Sequence, residues 1–222
     1  MSTVPLSSPT TRFPRWLQIF FWFCIVIAVA VVTRRVVSFV VPARNAPPMM
    51  VSVEEAFMSR KALTLAHILP AGALVVLLPF VLRRGPGTRR GLEGVVYALG
   101  FVVGITAYAM SGHPVGGIIE RSAVLFFNTL YLFALTRSFL LWSVREFPLA
   151  GRWLLRAMGI LLGIATTRPV MGVFFATSPL THMTPQQFFG IAFWIGFSIN
   201  TVVIELWLRR HPVSSELGHM ES

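Results

Sequence analysis

Long apolar runs alternate with short polar breaks along most of this chain. The first run extends from Trp16 to Val41 and is followed by a polar connector over 42–61. Five more runs occupy about 62–82, 94–110, 122–143, 154–176 and 188–208. Each reaches the ~17 residues that suffice to cross a ~30 Å hydrocarbon core at ~1.5 Å per residue. The pattern predicts an all-α polytopic membrane bundle of six transmembrane spans. Residues 16–41 form the first span, and 62–210 hold a core of five. Residues 1–15, rich in Ser, Thr and Pro, read as a disordered flank, and 211–222 as a short polar tail.

The breaks carry their own signals. "RRGPGTRR", Arg83 to Arg90, is a tight loop around Gly-Pro-Gly. In "SVEEAFMSR", Ser52 and Glu55 have the spacing of a capping box, which predicts a short surface helix. The start of the first run resembles a secretory signal, with Ala28-Val29-Ala30 as a cleavage tripeptide. Apolar character nevertheless continues through "RRVVSFVV", so an uncleaved first span is expected.

Composition agrees with the pattern. The 222 residues are 55% hydrophobic and 12% charged, against ~25% charged in soluble domains. A net charge of +11 raises the question of a nucleic-acid partner. The basic residues sit at the ends of the apolar runs, where they set topology, and do not cluster on a soluble face. The N-terminus, the 83–90 loop, the 145–156 loop and the C-terminus together carry eleven Lys or Arg, and the opposite side carries six. The positive-inside rule therefore places both termini in the cytoplasm of a cell whose inner (plasma) membrane holds the protein. Cys24 is the one cysteine, lies inside a span, and reads as a small buried hydrophobe.

Gly100-x-x-x-Gly104 and Gly159-x-x-x-Gly163 have the spacing that lets helix backbones approach closely in lipid. Gly172 belongs to the same series of small residues in the fifth span.

Polar residues at bilayer depth cost a few kcal/mol even on lenient scales, so they face the bundle interior and find partners. With the orientation above they fall in two layers. The inner layer holds Arg137, Arg156, Asn200 and Glu205, read as structural buried polar groups in which Glu205 pairs with Arg137 or Arg156. Arg156 can alternatively snorkel to headgroups. The outer layer holds His67 and Arg168. In "GIATTRPVMGVFF", Pro169 removes an N–H and crowds the carbonyl of Ala165, so a kink is expected there. A guanidinium beside loosened backbone makes a polar pocket with His67, Arg168 and Thr167 as ligand-binding candidates. Thr166 offers a further hydroxyl, and Pro70 bends span two near His67. Such a pocket suits a small anionic, quinone-like or lipid ligand. A kink whose arginine pairs structurally is the competing reading.

Catalytic motifs of the HExxH, GxSxG and phosphate-loop kinds are absent, and "GHPVGG" reads as a turn. No catalytic residue, metal site or cofactor is assigned. His67 is the single histidine within a span, which disfavours a haem held between two helices, and His113 and His182 fall in loops.

From about Leu63 to Arg210 the chain resembles domain of unknown function 2306, a family of prokaryotic integral membrane proteins. The resemblance is carried by "LAHILPAGALVVLLPF", "GVVYALG", "RWLLRA", Arg168, and "FWIGFSINTVVIELWLRR" with Trp194, Asn200 and Glu205. Two family histidines are replaced here, by Arg90 or Gly91 before the third span and by Ala150-Gly151 before the fifth. The family name assigns no activity. The expectation is a non-catalytic protein whose partners are the lipid bilayer and a small amphipathic ligand or membrane protein. A haem- or quinone-linked redox protein is one alternative. A small-molecule transporter is the other, although the hydropathy shows no inverted repeat.

Overall fold

The computed structural model describes residues 14–40, 58–84 and 87–212. The Ser52–Glu55 capping box, most of the two terminal flanks and residues 85–86 of the Gly-Pro-Gly loop lie outside the described residues. Among the described residues the regular elements are helices: α1 (Arg15–Val40), α2 (Lys61–Arg84), α3 (Arg90–Ser111), α4 (Gly117–Ser143), α5 (Phe147–Leu161), α6 (Gly163–Thr181) and α7 (Pro185–Arg210). Six stretches are long and apolar enough to cross a membrane, α5 and α6 forming one of them, Phe147–Thr181. Their outward faces carry large exposed apolar side chains such as Ile19, Ile105, Phe133, Val173 and Leu206. In water that surface would be a liability; facing lipid it costs nothing.

The helix ends are built locally. Pro185 starts α7, and Gln187 Oε1 accepts from the Thr184 N–H at 2.8 Å, so one orphan donor is satisfied. Glu93, in the first turn of α3, is almost fully buried. Its carboxylate accepts from the backbone N–H of Gly87 (2.8 Å) and Arg89 (3.3 Å) and from Trp142 Nε1. Gly87 has φ +91°, which glycine adopts without cost, and Phe147 fills the space a side chain would need. Glu93 therefore ties the α2–α3 loop to the end of α4.

The spans close into a ring. Helix α1 packs on α2 and α6, α2 on α3, α3 on α4, α4 on α5 and α7, and α7 on α5 and α6. The glycine pairs lie at contacts within this ring. Gly100 and Gly104 face α4, where Tyr131 donates to the Gly100 carbonyl (3.0 Å) and Asn128 Nδ2 to the Gly104 carbonyl (2.9 Å). Gly159 and Gly163 face Ile204 and Phe197 of α7. Gly172 differs: it has open space beside it and gives no neighbour room to approach.

The fifth span is interrupted seven residues before Pro169. Helix α6 continues through Pro169 and Pro179, as α2 does through Pro70 and Pro79. The interruption is at Leu162 (φ −68°, ψ −8°), with the Ala165 N–H bonding back only three residues, to the Leu162 carbonyl, at 2.9 Å. A side chain from another helix meets the break. Asn200 Nδ2 donates to the Gly159 carbonyl at 3.3 Å, the acceptor that Gly163 would use in a regular helix. Asn200 Oδ1 accepts from the Thr166 hydroxyl at 2.5 Å.

Candidate functional site

The ring of helices surrounds a cavity of about 250 Å³ to which every span contributes. It lies toward the end of the bundle where α1 and α3 finish and α2 and α4 begin. Most of its wall is apolar, from residues such as Val75, Val103, Ile164 and Phe197. Polar groups gather near that end: Arg35 and His67 from the first two helices, Ser111 at the end of α3, Glu120 and Asn128 from α4, and Arg168 from α6.

Most of these polar groups are occupied within the protein. His67 Nδ1 lies 2.9 Å from Thr106 Oγ1, whose own hydrogen goes to the Val102 carbonyl at 2.7 Å. Thr106 therefore accepts from the ring, which places a proton on Nδ1. Glu120 Oε2 accepts from the Gly116 N–H, closing the first turn of α4. Ser111 donates to the Tyr108 carbonyl at 2.7 Å.

Arg168 is different. Its Nε is buried without a hydrogen-bond partner among the described residues. Its Nη1 reaches only the thioether of Met171, at 3.8 Å, a weak acceptor. Arg34, Arg35 and Glu120 are the charged groups within electrostatic range of it. A buried donor left unmade costs about 1–3 kcal/mol, and more when it is charged. A guanidinium turned into a cavity with that debt is chemically suited to an oxygen-bearing anion or carbonyl.

The other candidate residues are placed as follows. Thr167 is a correction: it is fully buried, donates to the Gly163 carbonyl at 2.9 Å, and packs on Gly196 of α7. Its hydroxyl is spent within α6 because a helical Thr bonds most readily to the carbonyl four residues back. Thr166 likewise serves Asn200 and not the pocket.

At the opposite end Glu205 pairs with Arg156 at 2.8 Å and with Arg209, one turn along α7, at 2.9 Å. The group is half-buried, with side-chain exposures of 31% for Glu205 and 22% for Arg156. Arg137 is a second correction. It is exposed and lies over the Trp153 ring at 5.8 Å, where a cation meets the negative face of the aromatic ring. Asn200 belongs to the α5–α6 break and not to the Glu205 cluster.

Two residues at the ends of spans escaped the reading of the sequence. Arg152 donates to the Leu208 carbonyl at 2.7 Å and to the His211 carbonyl, capping α7 from a neighbouring helix. Glu120, taken as part of a polar break, enters the cavity wall. Its position four residues after Gly116, at a helix start, was the available signal.

Comparison with protein-family models, with curated proteins and with solved structures gave no match.

Proposed function

We propose that this protein is a membrane-embedded binding protein for a small amphipathic anion. Arg168 grips the head of the ligand, and the apolar wall of the central cavity takes its body. The observation that carries the reading is Arg168 in the cavity wall, a guanidinium whose Nη1 meets only the thioether of Met171 and whose buried Nε has no partner among the described residues. A guanidinium presents a planar fork that matches carboxylate, sulfonate or phosphate oxygens two at a time. The volume, about 250 Å³, is just under the ~300 Å³ at which pockets for drug-sized ligands begin, so the ligand is small. His67, with Nδ1 committed to Thr106, stands in the same cavity wall.

Both termini are proposed to be cytoplasmic and the membrane to be the plasma membrane, from the excess of basic residues on one side. The cavity then lies in the outer half of the bilayer. The resemblance to domain of unknown function 2306 supports membership of a membrane family and adds no activity.

The test uses benzenesulfonate, which stays ionised at all working pH values, and benzyl alcohol as its uncharged counterpart. Benzenesulfonate should raise the melting temperature of the purified protein, and benzyl alcohol should not. Arg168→Lys should keep the fold and weaken the response, because an ammonium cannot reproduce the fork. Arg168→Ala should fold and lose the response. A full response from Arg168→Ala overturns the proposal. An organic extract of the wild-type protein discriminates the redox alternative, which requires a co-purifying quinone or a Soret band.

A further inference from the structure

A second cavity, of about 260 Å³, lies toward the other end of the bundle, with Gln18 and Leu82 near its mouth and Cys24 and Asn200 at its inner limit. Its walls come from α1, α2, α5 and α7, which also line the first, with no residue common to both. Along α1 the lining passes from Cys24 to Ala28, along α2 from Pro79 to Val75, and along α7 from Asn200 to Phe197. Each step is three or four residues, about one helical turn, so one face of each helix lines both spaces. The broken span does the same, with Gly159 in one wall and Ala165 in the other.

Near the inner limit of the second space stands a polar group of three: Cys24 and Asn200, which line that space, and Thr166, which lines neither. Cys24, Thr166 and Asn200 are all buried. Thr166 donates to Asn200 Oδ1, and the Cys24 sulfur lies 3.7 Å from the Thr166 hydroxyl. Asn200 also holds the Gly159 carbonyl, for which the Gly163 N–H is the helical competitor. Retracting Asn200 leaves that carbonyl with a ready replacement, so the group can part without orphaning backbone. Interrupted backbone at membrane depth is tolerated where it lines a cavity, and broken spans mark the midplane sites of transporters.

We infer that the two cavities are halves of one passage along the bundle, closed by the Cys24–Thr166–Asn200 septum, and that the protein moves a small amphipathic anion across the bilayer by opening it. The choice of solute rests on the anion-binding reading above; the passage itself does not.

Cys24, the one thiol in the chain, stands in the septum and reports on it. The probe is 2-sulfonatoethyl methanethiosulfonate, a small membrane-impermeant anion. The Cys24 thiolate attacks its sulfenyl sulfur, a mixed disulfide forms and methanesulfinate leaves, with no other oxidant required. The wild-type protein in liposomes should be modified when the reagent is added on either side alone, and Cys24→Ser should not be. The same liposomes should take up radiolabelled benzenesulfonate faster than empty ones, and modification of Cys24 should abolish the difference. Uptake by Cys24→Ser, whatever its own rate, should be unchanged by the reagent.

Failure has two distinguishable forms. If benzenesulfonate stabilises the protein, yet Cys24 stays unmodified from both sides and uptake equals that of empty liposomes, the passage is overturned and the binding site stands. If Cys24 is modified from both sides while benzenesulfonate neither stabilises the protein nor crosses, the passage stands and the anion assignment of both proposals falls.

Discussion

At the scale of single residues, charges at membrane depth among the described residues differ in whether the protein satisfies them. Glu205 is satisfied twice, by Arg156 and by Arg209. Glu205→Gln keeps the shape and removes the charge, leaving a half-buried arginine without its carboxylate. The expected cost is about 1–3 kcal/mol, read as a melting temperature lowered by a few degrees, whereas Arg137→Gln, at an exposed position that pairs with no acid among the described residues, should leave it nearly unchanged. Equal effects at the two positions would show that Glu205 is solvated in the membrane-bound protein. Glycines give a second contrast at this scale. A Cβ at Gly196 would stand 2.6 Å from the backbone nitrogen of Thr167, which cannot move without its helix. Gly196→Ala should cost about 1–3 kcal/mol through overpacking. Gly94, inside α3 with nothing near it, should gain up to ~1 kcal/mol on substitution by Ala, from helix propensity alone. Thermal unfolding of the two variants checks both signs.

At the scale of elements, the fifth span is two helices, and Asn200 of α7 donates to the Gly159 carbonyl beside the break. Asn200 and Thr166 act as one unit. Asn200→Ala and Thr166→Val should each destabilise, by roughly 1–3 kcal/mol where a buried polar partner is left unmet. The double variant should cost clearly less than the sum, since each single change already removes the shared hydrogen bond. Additive losses in a double-mutant cycle would mean that the 2.5 Å contact between them contributes nothing. Prolines do not end these helices. Pro70, Pro79, Pro169 and Pro179 all sit within helices that continue past them, and the carbonyl that Pro179 frees, that of Phe175, accepts from the Ser178 hydroxyl at 2.8 Å.

At the scale of the whole molecule, α5 and α6 can be one crossing or a hairpin that returns to the same side. At ~1.5 Å per residue, α5 alone reaches only about 22 Å and falls short of a ~30 Å core. One crossing is the consequence, and it sets the topology of everything after it. Reporter fusions after Thr88, in the α2–α3 loop, and after Thr181, at the end of α6, should report opposite sides of the membrane, with Thr88 cytoplasmic. Reports from the same side would require α5 and α6 to enter and leave together.

The six spans were legible in the sequence because lipid imposes a length and a polarity that no tertiary contact can waive. Their predicted limits and the helices differ by a few residues at each end, where polar side chains such as Glu93 and Glu120 extend a helix beyond its apolar run. Buried polar residues were also legible as a class, since a charge or amide inside an apolar run stands out by cost alone. Their partners were not. Whether Glu205 meets Arg137 or Arg156, and whether Thr167 turns to a cavity or to Gly196, depends on the rotation of each helix about its axis. Spans with apolar residues on all sides leave that rotation undetermined, because lipid and protein interior are equally apolar. Only the packing of backbone glycines and the few side-chain hydrogen bonds settle it. The ring closure, the two cavities and the Cys24–Thr166–Asn200 group are products of that rotation, and so belong to the tertiary structure alone.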